Sequence, residues 1–392
     1  MARKTLFSDL LLARAGAQPD VSSRIQNRSD LPDLRPFHRA CVSGLSSNEQ
    51  SPQLAPILAV IVPYFQRKAD ILRRCLISIF DQQLRSAISI HVIVVDDTSP
   101  WPAKEELRDV YVPEHITVEI ISRNNGGPSA ARNTGLDSVP AGTEFIAFID
   151  SDDTWRVDHI QRALDSLGSC NDLYFSDYLR WEGFTNLNKT KFGALVGDSS
   201  IFRHHAGVVS VLICPIAYII PYAIQEAVAH TSTIVYRKRA LSMCRFDEEL
   251  LYAEDDLFFL DLILSSTYAC ISTESEASLG LGVNIFYGSW SWDSENNLKR
   301  CCDQLIFYTK AKRRLLFNRE HDEMVRYAIR SYRPAVVFFM LRQLLKGRKV
   351  PCRMFVSLAR QDPQFLVAFP TNIMLVVAQW IIGKLRGKEA FR

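Results

Sequence analysis

The cysteine pattern argues against a disulfide framework and against a zinc site. Nine cysteines are scattered over 392 residues, none forms a CxxC pair, and only Cys301 and Cys302 are adjacent. A chain of this length buries enough apolar surface to fold without cross-links, and zinc ligands need a closer spacing. The pattern favours a protein of the reducing cytoplasm.

Secretory and repeat signatures are also missing. The apolar core near the N-terminus extends only from Leu10 to Leu12, which is too short for a signal peptide. No internal repeat or low-complexity segment is present. Residues 1–55 show little periodicity and end in the linker-like stretch "SSNEQSPQLAP", so we expect a flexible tail there.

Charge is nearly balanced overall but unevenly distributed. The formal net charge is +3, yet residues 299–392 hold 20 Lys/Arg and 6 Asp/Glu, against 26 and 37 in the rest of the chain. This asymmetry predicts attraction of the C-terminal part to an anionic surface, with plain solubility as the alternative. No recognised nucleic-acid module or aromatic-interleaved basic groove is present, so no nucleic-acid partner is expected.

Four short segments after residue 56 are β-branched and almost continuously apolar: "ILAVIV", "ISIHVIVV", "ITVEII" and "EFIAFI". Strands with both faces buried show this pattern. Because helical segments separate them, we predict a doubly wound α/β domain with a mostly parallel sheet. "DLYFSDY" and "HTSTIVY" are predicted as two further strands.

Polar clusters follow each of the four apolar segments: "PYFQR", "DDTSP", "RNNGGPSAARNTG" and "DSDD". In open α/β sheets, ligands bind outside the carboxyl ends of the strands. After the second strand, Asp97 can accept a hydrogen bond from a nucleobase or ribose, or it simply caps a turn. Gly127 precedes Pro128 at a predicted helix start, where free N–H groups favour a diphosphate; a plain loop-to-helix connection is the alternative.

The stretch "FIDSDDTW" crowds three carboxylates after an apolar strand. Because side chains alternate along a strand, Asp150 and Asp152 should point the same way and bind one Mg²⁺ or Mn²⁺ ion. An exposed acidic loop that caps the next helix is the alternative, and Asp153 is assigned to such a cap. In "YAEDDLFF", Asp255 lies at a predicted helix start, where it serves as a general base or stabilises the helix dipole.

The segments "AVIVPYFQR", "VVDDTSP", "NNGGPSAARNTG", "FIDSDDTW" and "AEDDLFFLDLI" resemble, in this order and spacing, the motifs of family 2 glycosyltransferases. The match covers residues 57–266, a little over half of the chain. The resemblance implies a GT-A fold with a Rossmann-like, doubly wound, mostly parallel sheet. It also implies an inverting, metal-dependent enzyme that uses a nucleotide-diphospho-sugar, expected to be UDP-linked.

The resemblance also implies a role for each matched residue. Those expected to contact the nucleotide-sugar are Pro63, Phe65, Asp97, Gly127, Arg132 and Asp150. Asp150 and Asp152 correspond to the DxD motif that binds Mn²⁺ or Mg²⁺, and Asp255 corresponds to the general base. This chain departs from the family pattern in two places. The family usually has "PTYN" where this chain has "PYFQ". Many members also have a late histidine near the metal, but the matching stretch "NIFYGSWSW" offers Phe286 and Tyr287 instead, so no third metal ligand is assigned.

Two long apolar segments raise the question of membrane contact. Residues 206–224 contain Pro215 and Pro221 and lie between the DxD motif and the predicted base, so burial in the core is favoured over a lipid-facing surface. Residues 365–383 are interrupted by Pro370, which should leave about 13 continuous helical residues, typical of an interfacial anchor. Packing against the catalytic domain is the alternative for this second segment.

The sequence therefore predicts three regions and one leading function. The regions are a tail over residues 1–55, a GT-A domain over residues 56–290, and a basic helical region over residues 291–392 with a membrane-associating segment at residues 365–386. The predicted function is sugar transfer to a saccharide or lipid-linked acceptor in polysaccharide (exopolysaccharide) or glycolipid assembly, on the cytoplasmic face of a membrane. A catalytically idle sugar-nucleotide-binding scaffold is the alternative.

Overall fold

A computed structural model describes residues 57–85, 87–196, 198, 200–283, 294, 296–315 and 319–385, which are called the described residues below. The predicted tail over residues 1–55 lies outside them. So do Phe286 and Tyr287, together with residue 386 at the end of the predicted membrane-associating segment.

The described strands form one sheet. They are β1 (Ile57–Tyr64), β2 (Ser89–Asp96), β3 (Ile116–Ser122), β4 (Thr143–Phe148), β5 (Thr154–Trp155), β6 (Leu173–Leu179), β7 (Arg203–His204), β8 (Val211–Pro215), β9 (Val235–Arg237) and β10 (Tyr268–Ser278). Their spatial order is β3-β2-β1-β4-β9-β6-β10-β8-β7, and β5 pairs with β10.

Six strands run in the same direction. β1 pairs in parallel with both β2 and β4, and β2 pairs in parallel with β3. β9 is antiparallel to both β4 and β6, so β6 and its parallel neighbour β10 share the direction of β4. The prediction of a mostly parallel sheet is confirmed, and all four apolar segments form its parallel half.

Helices alternate with the strands in the sheet region. They are α1 (Ile71–Phe80), α2 (Ala103–Glu106), α3 (Pro128–Asp137), α4 (His159–Leu167), α5 (Lys191–Val196), α6 (Ile216–Ala223), α7 (Lys238–Leu241) and α8 (Glu254–Leu264). Val92 and Val94 of β2 pack with α1 in one core cluster, whereas Ile93 and Val95 pack with Ala131 of α3 in another. Because side chains alternate along a strand, these clusters lie on opposite faces of the sheet, which confirms the doubly wound prediction.

Two sequence segments take a different form from the one predicted. Only Val235 and Tyr236 of "HTSTIVY" lie in a strand, β9, and the preceding Thr231–Thr233 forms a 3₁₀ turn. The side chain of His230 caps this turn, and such local hydrogen bonding competes with strand pairing. Residues 206–224 contain β8, which pairs with β10, and the largely buried helix α6, so the favoured prediction of core burial is confirmed.

The chain beyond the sheet is helical. Its helices are α9 (Asn296–Arg314), α10 (Arg319–Leu345), α11 (Cys352–Gln361) and α12 (Pro363–Leu385). The prediction that Pro370 shortens the last helix is wrong, because α12 is continuous over 23 residues. Phe365 and Val376, on either side of Pro370, are both buried, and this packing offsets the backbone hydrogen bond that the proline removes.

The described residues divide into two compact units. One contains the sheet region, residues 57–248 and 255–283. The other contains α9 to α12 together with Glu249–Glu254. Within the second unit, the buried carboxylate of Asp303 accepts hydrogen bonds from the backbone N–H groups of Leu251 and Tyr252, at 3.0 and 3.2 Å. This carboxylate fixes the short segment against α9.

Candidate functional site

The acidic stretch forms a tight turn after β4. The strand ends at Phe148, and the backbone N–H of Asp153 donates to the carbonyl oxygen of Asp150 at 2.9 Å. The two-residue alternation of a strand therefore does not apply here, and the geometric reason given for pairing Asp150 with Asp152 is wrong. Instead, each carboxylate in this turn is oriented by its own hydrogen bonds.

Asp150 is paired with Arg132, which the family resemblance assigned to the nucleotide-sugar. Nη2 of Arg132, from the buried second turn of α3, lies 2.7 Å from Oδ1 of Asp150, and the guanidinium also stacks over the ring of Phe246 at 5.0 Å. Burial acts to raise the pKa of Asp150, but the charge of Arg132 outweighs it, so this pKa lies below its ordinary value. Asp150 is therefore ionised at neutral pH.

Asp153 is almost completely buried and does not cap a helix. Its Oδ2 accepts a hydrogen bond from the hydroxyl of Ser232 at 2.6 Å, and its Oδ1 accepts one from the backbone N–H of Gly280 at 2.9 Å. The predicted cap is wrong, because α4 begins only at His159. Burial, and then the nearby Asp150, raise the pKa of Asp153 well above its ordinary value.

Asp152 faces the loop that follows β10. Its Oδ2 accepts a hydrogen bond from the backbone N–H of Gly282 at 2.7 Å. A side chain at Gly280 cannot be accommodated, because its Cβ atom would lie 1.8 Å from the carbonyl oxygen of Asp152. Burial, and then the charge of Asp150, raise the pKa of Asp152. The glycines of this loop thus permit a close approach of backbone to the acidic turn.

The sequence analysis missed His230, which lies beside the acidic turn. One donor atom each from Asp150, Asp153 and His230 fall within 4.8 Å of one another. Burial lowers the pKa of His230, although the carboxylates of Asp150 and then Asp255 oppose the shift. A histidine in a polar stretch directly before a buried strand was the available signal, but the strand prediction for "HTSTIVY" obscured it.

The donor set fits a divalent cation. Carboxylate oxygens with one imidazole nitrogen suit Mn²⁺ or Mg²⁺, and the lowered pKa of His230 favours the neutral imidazole that binds metals. Burial and then the charge of Asp150 raise the pKa values of Asp152 and Asp153, and a bound cation would offset both effects. Asp150, Asp153 and His230 could thus hold a metal, with Asp152 one residue away in the same turn.

Asp255, the predicted base, is the second residue of α8. The charge of its carboxylate acts to raise the pKa of His230, so the start of α8 lies within electrostatic range of the metal-ligand cluster. The next residue, Asp256, has a pKa well above its ordinary value, first because of burial and then because of Asp255. Burial and the charge of Asp255 thus disfavour the ionised form of Asp256.

Asp97 and Gly127 come together at the start of α3. The carboxylate of Asp97 accepts hydrogen bonds from the backbone N–H groups of Gly126 and Gly127, at 2.9 and 2.8 Å, and pairs with Nε of Arg123 at 3.2 Å. Gly127 has φ of 86°, a conformation that favours glycine. The structure therefore gives Asp97 a definite role in holding the glycine turn.

Pro63 and Phe65 lie at the end of β1 and are both half-buried. The next residue, Gln66, was not singled out by the sequence analysis. Its side chain donates to the hydroxyl of Ser151 at 3.2 Å and accepts from the backbone N–H of Val283 at 3.0 Å. Gln66 therefore ties the end of β1 to the acidic turn and to the loop after β10.

Comparison with known proteins assigns the family. The model of Glycosyl transferase family 2 matches residues 59–218. Succinoglycan biosynthesis protein ExoW of Rhizobium meliloti (strain 1021) is 32% identical over 339 residues, which cover 84% of this chain and 98% of ExoW. The putative glycosyltransferase EpsH of Bacillus subtilis (strain 168) is 32% identical over 123 residues, 31% of this chain and 34% of EpsH. The chain belongs to glycosyl transferase family 2 and is a glycosyltransferase.

A solved structure supports the fold. S. aureus TarS 1-349 in complex with UDP-GlcNAc has a TM-score of 0.50 and 18% sequence identity, and the match covers 81% of this chain and 83% of that one. At this identity the similarity concerns the fold alone. Together with the sheet topology and the family assignment, it confirms the GT-A fold that the resemblance implied.

Proposed function

We propose that this glycosyltransferase moves a sugar from a UDP-sugar to a hydroxyl group of a saccharide acceptor, with inversion at the anomeric carbon. The observation that carries the proposal is the convergence of Asp150, Asp153 and His230, with the charge of Asp255 acting on the same histidine. This arrangement combines a cation site with a carboxylate available for proton transfer, the two elements that such a displacement requires.

Asp255 is the proposed general base. Its carboxylate accepts the proton of the acceptor hydroxyl while the hydroxyl oxygen forms a bond to the anomeric carbon. The bond from that carbon to the diphosphate breaks at the same time, and its electron pair leaves with the diphosphate. Asp256 is less suited to this role, because burial and the charge of Asp255 raise its pKa and disfavour its ionised form.

Asp150 and Asp152 are the proposed metal-binding pair, as the family resemblance implies, and Asp153 and His230 are added from their positions. When bound, Mn²⁺ or Mg²⁺ would stabilise the negative charge that develops on the leaving diphosphate. Arg132 is the proposed second cationic group at the diphosphate, since its guanidinium already lies beside Asp150. Gly127, whose own N–H donates to Asp97, is proposed to let the backbone at the start of α3 approach the diphosphate closely.

The proposed nucleotide contacts are Pro63, Phe65 and Asp97. Pro63 and Phe65 are half-buried at the end of β1, where a base can stack, and Asp97 lies at the end of the adjacent β2. The carboxylate of Asp97 accepts hydrogen bonds from the backbone N–H groups of Gly126 and Gly127, which fix its position at this edge of the sheet. That TarS, which has the same fold, was solved with UDP-GlcNAc supports a UDP-linked donor.

The proposed setting is assembly of an exopolysaccharide or another cell-surface polysaccharide or glycolipid. The similarity to ExoW, a succinoglycan biosynthesis protein, supports this setting. A saccharide or lipid-linked saccharide is the proposed acceptor, and peripheral attachment to the cytoplasmic face of the membrane through α12 would bring the enzyme to it. The exposed apolar side chains of α12 and the basic C-terminal third of the chain support attachment.

The experiment that tests the function is a panel of nucleotide-sugars incubated with the purified protein. Release of the nucleoside diphosphate and transfer to added saccharides are measured with Mn²⁺, with Mg²⁺ and with a chelator. We expect turnover of at least one UDP-sugar that stops when the metal is chelated. Tight donor binding by calorimetry without any turnover across donors and acceptors would favour the scaffold instead.

A further inference from the structure

One buried hydroxyl connects two distant segments of the site. Ser232 is fully buried in the 3₁₀ turn before β9. Its Oγ accepts a hydrogen bond from the backbone N–H of Asp150 at 3.0 Å and donates one to Oδ2 of Asp153 at 2.6 Å. A single side chain therefore sets the backbone position of one acidic residue and the carboxylate orientation of another.

The backbone of Ser232 is also fixed. Its N–H donates to Nδ1 of His230 at 3.3 Å, and its carbonyl oxygen accepts from Nε1 of Trp155 at 2.6 Å. Trp155 belongs to β5, whose pairing with Ala277 anchors it to β10. Ser232 thus contacts Asp150, Asp153 and His230 by three separate hydrogen bonds while it is held in place by the sheet.

These contacts matter because the donor atoms repel one another. One donor atom each from Asp150, Asp153 and His230 fall within 4.8 Å of one another. The backbone N–H of Gly280 holds only Oδ1 of Asp153, so loss of the Ser232 hydroxyl would remove the hydrogen bond to Oδ2 of Asp153 and the one from the backbone N–H of Asp150. Side chains that orient metal ligands from outside the coordination shell affect metal affinity nearly as strongly as some ligands do.

We propose that Ser232 is a positioning residue that holds Asp150, Asp153 and His230 in the arrangement that binds a divalent cation. The inference rests on the proposed metal-dependent function. It assigns to Ser232 no contact with the donor, the acceptor or the reacting atoms. Its effect is on the geometry of the ligands alone.

A matched control is available in the same sheet. Ser176 of β6 is equally buried, and its hydroxyl has no hydrogen-bond partner among the described residues. Ser176→Ala removes a buried hydroxyl without removing any contact to the site. Ser232→Ala removes the bridge, and Ser232→Cys retains nearly the same volume but replaces the hydroxyl by a weak donor and acceptor.

The test is a calorimetric titration of each full-length protein with Mn²⁺ alone. A thermal scan of each variant first establishes that it is folded at the titration temperature. We expect the dissociation constant for Mn²⁺ to rise about 10- to 100-fold in Ser232→Ala, with a smaller rise in Ser232→Cys, and to stay at the wild-type value in Ser176→Ala.

The outcomes separate this inference from the proposed function. If the wild-type protein binds no Mn²⁺, the proposed metal dependence fails and this inference fails with it. If the wild-type protein binds Mn²⁺ and both Ser232 variants bind it equally well, only the positioning role is overturned. Loss of the folded state in both variants would make Ser232 a structural residue and would also overturn the proposal.

Discussion

At the scale of single residues, the start of α8 presents two adjacent carboxylates with different properties. Burial and the charge of Asp255 raise the pKa of Asp256, whereas the charge of Asp255 itself acts on His230. Environments that give neighbouring carboxyl groups different proton affinities are a recurrent way to assign them different roles. The proposed division of roles follows from these environments.

We predict that Asp255→Asn lowers the transfer rate about 10²- to 10⁴-fold, since an amide cannot accept the acceptor proton. Binding of the UDP-sugar, measured by calorimetry with Mn²⁺, should be retained because the proposed contact of Asp255 is with the acceptor. Asp256→Asn is the matched comparison, and it should transfer at close to the wild-type rate because the proposed mechanism gives Asp256 no part in proton transfer. Equal activity of Asp255→Asn and the wild-type protein would refute the role of Asp255 as base.

The sequence identified most residues of the candidate site but few of their partners. Asp150 and Arg132 were singled out from separate motifs, yet their ion pair depends on how α3 and the acidic turn meet in space. His230, Ser232 and Gln66 carried no local signal of comparable strength. Their roles arise from contacts across about 80 residues of sequence or more, which local patterns do not encode.

At the scale of elements, a buried charge joins the helix α4 to the strands β6 and β10. The carboxylate of Glu276 in β10 is fully buried and contacts Nδ1 of His159 at 2.9 Å, Nε of Arg162 at 2.6 Å and the hydroxyl of Tyr174 at 2.7 Å. Burial acts to raise the pKa of Glu276, but the hydrogen bond with His159 and its other partners lower it below the ordinary value.

We predict that Glu276→Gln destabilises the protein by about 3–5 kcal/mol in chemical denaturation at neutral pH, because it breaks a buried, fully paired charge network. Glu274→Gln, two residues earlier on the same strand, removes only an exposed pair with Arg156 and should cost about 0–1 kcal/mol. Similar losses in the two variants would contradict this account.

The effect of Glu276→Gln on the free energy of unfolding should also depend on pH. Because the folded-state pKa of Glu276 lies below its ordinary value, its contribution to stability is complete above that ordinary value. The contribution is lost as the pH falls through the folded-state pKa. The difference in unfolding free energy between wild type and Glu276→Gln should therefore narrow in acid.

Elements with a strong periodic or apolar pattern were predictable, and those set by long-range pairing were not. The four parallel strands β1 to β4 match the four apolar segments of the sequence. A strand was predicted in "HTSTIVY", but the antiparallel position of the three-residue β9 between β4 and β6 depends on long-range pairing. The continuity of α12 through Pro370 likewise depends on packing and was predicted wrongly.

At the scale of the whole molecule, α12 stands out because it exposes large apolar side chains. In the part of the chain that the structure describes, it is the one helix long and apolar enough to cross a membrane by length and composition. Val367 and Met374, seven residues apart and so on one face, are 83% and 72% exposed. Exposed apolar side chains of this kind mark an interaction surface.

We predict that Val367→Glu combined with Met374→Glu reduces binding to vesicles that contain phosphatidylglycerol by roughly tenfold or more, because each apolar side chain inserted contributes about 1.5–3 kcal/mol. Flotation of the full-length protein with vesicles measures the bound fraction. The control is Val209→Glu combined with Met243→Glu, an equally exposed pair in the sheet region, which should bind like wild type. Unchanged binding of the α12 variant would exclude this helix as the anchor.

The anomeric configuration of the first product tests the central claim most directly. The proposed centre has one base, Asp255, and one displacement, so the acceptor oxygen must enter opposite the departing diphosphate and invert the anomeric carbon. Time-resolved proton NMR of the reaction, begun by adding Mn²⁺ to enzyme, UDP-sugar and acceptor, reports the coupling constant of the new anomeric proton. The account predicts a linkage of the configuration opposite to that of the donor. A first product with the donor's own configuration would contradict it.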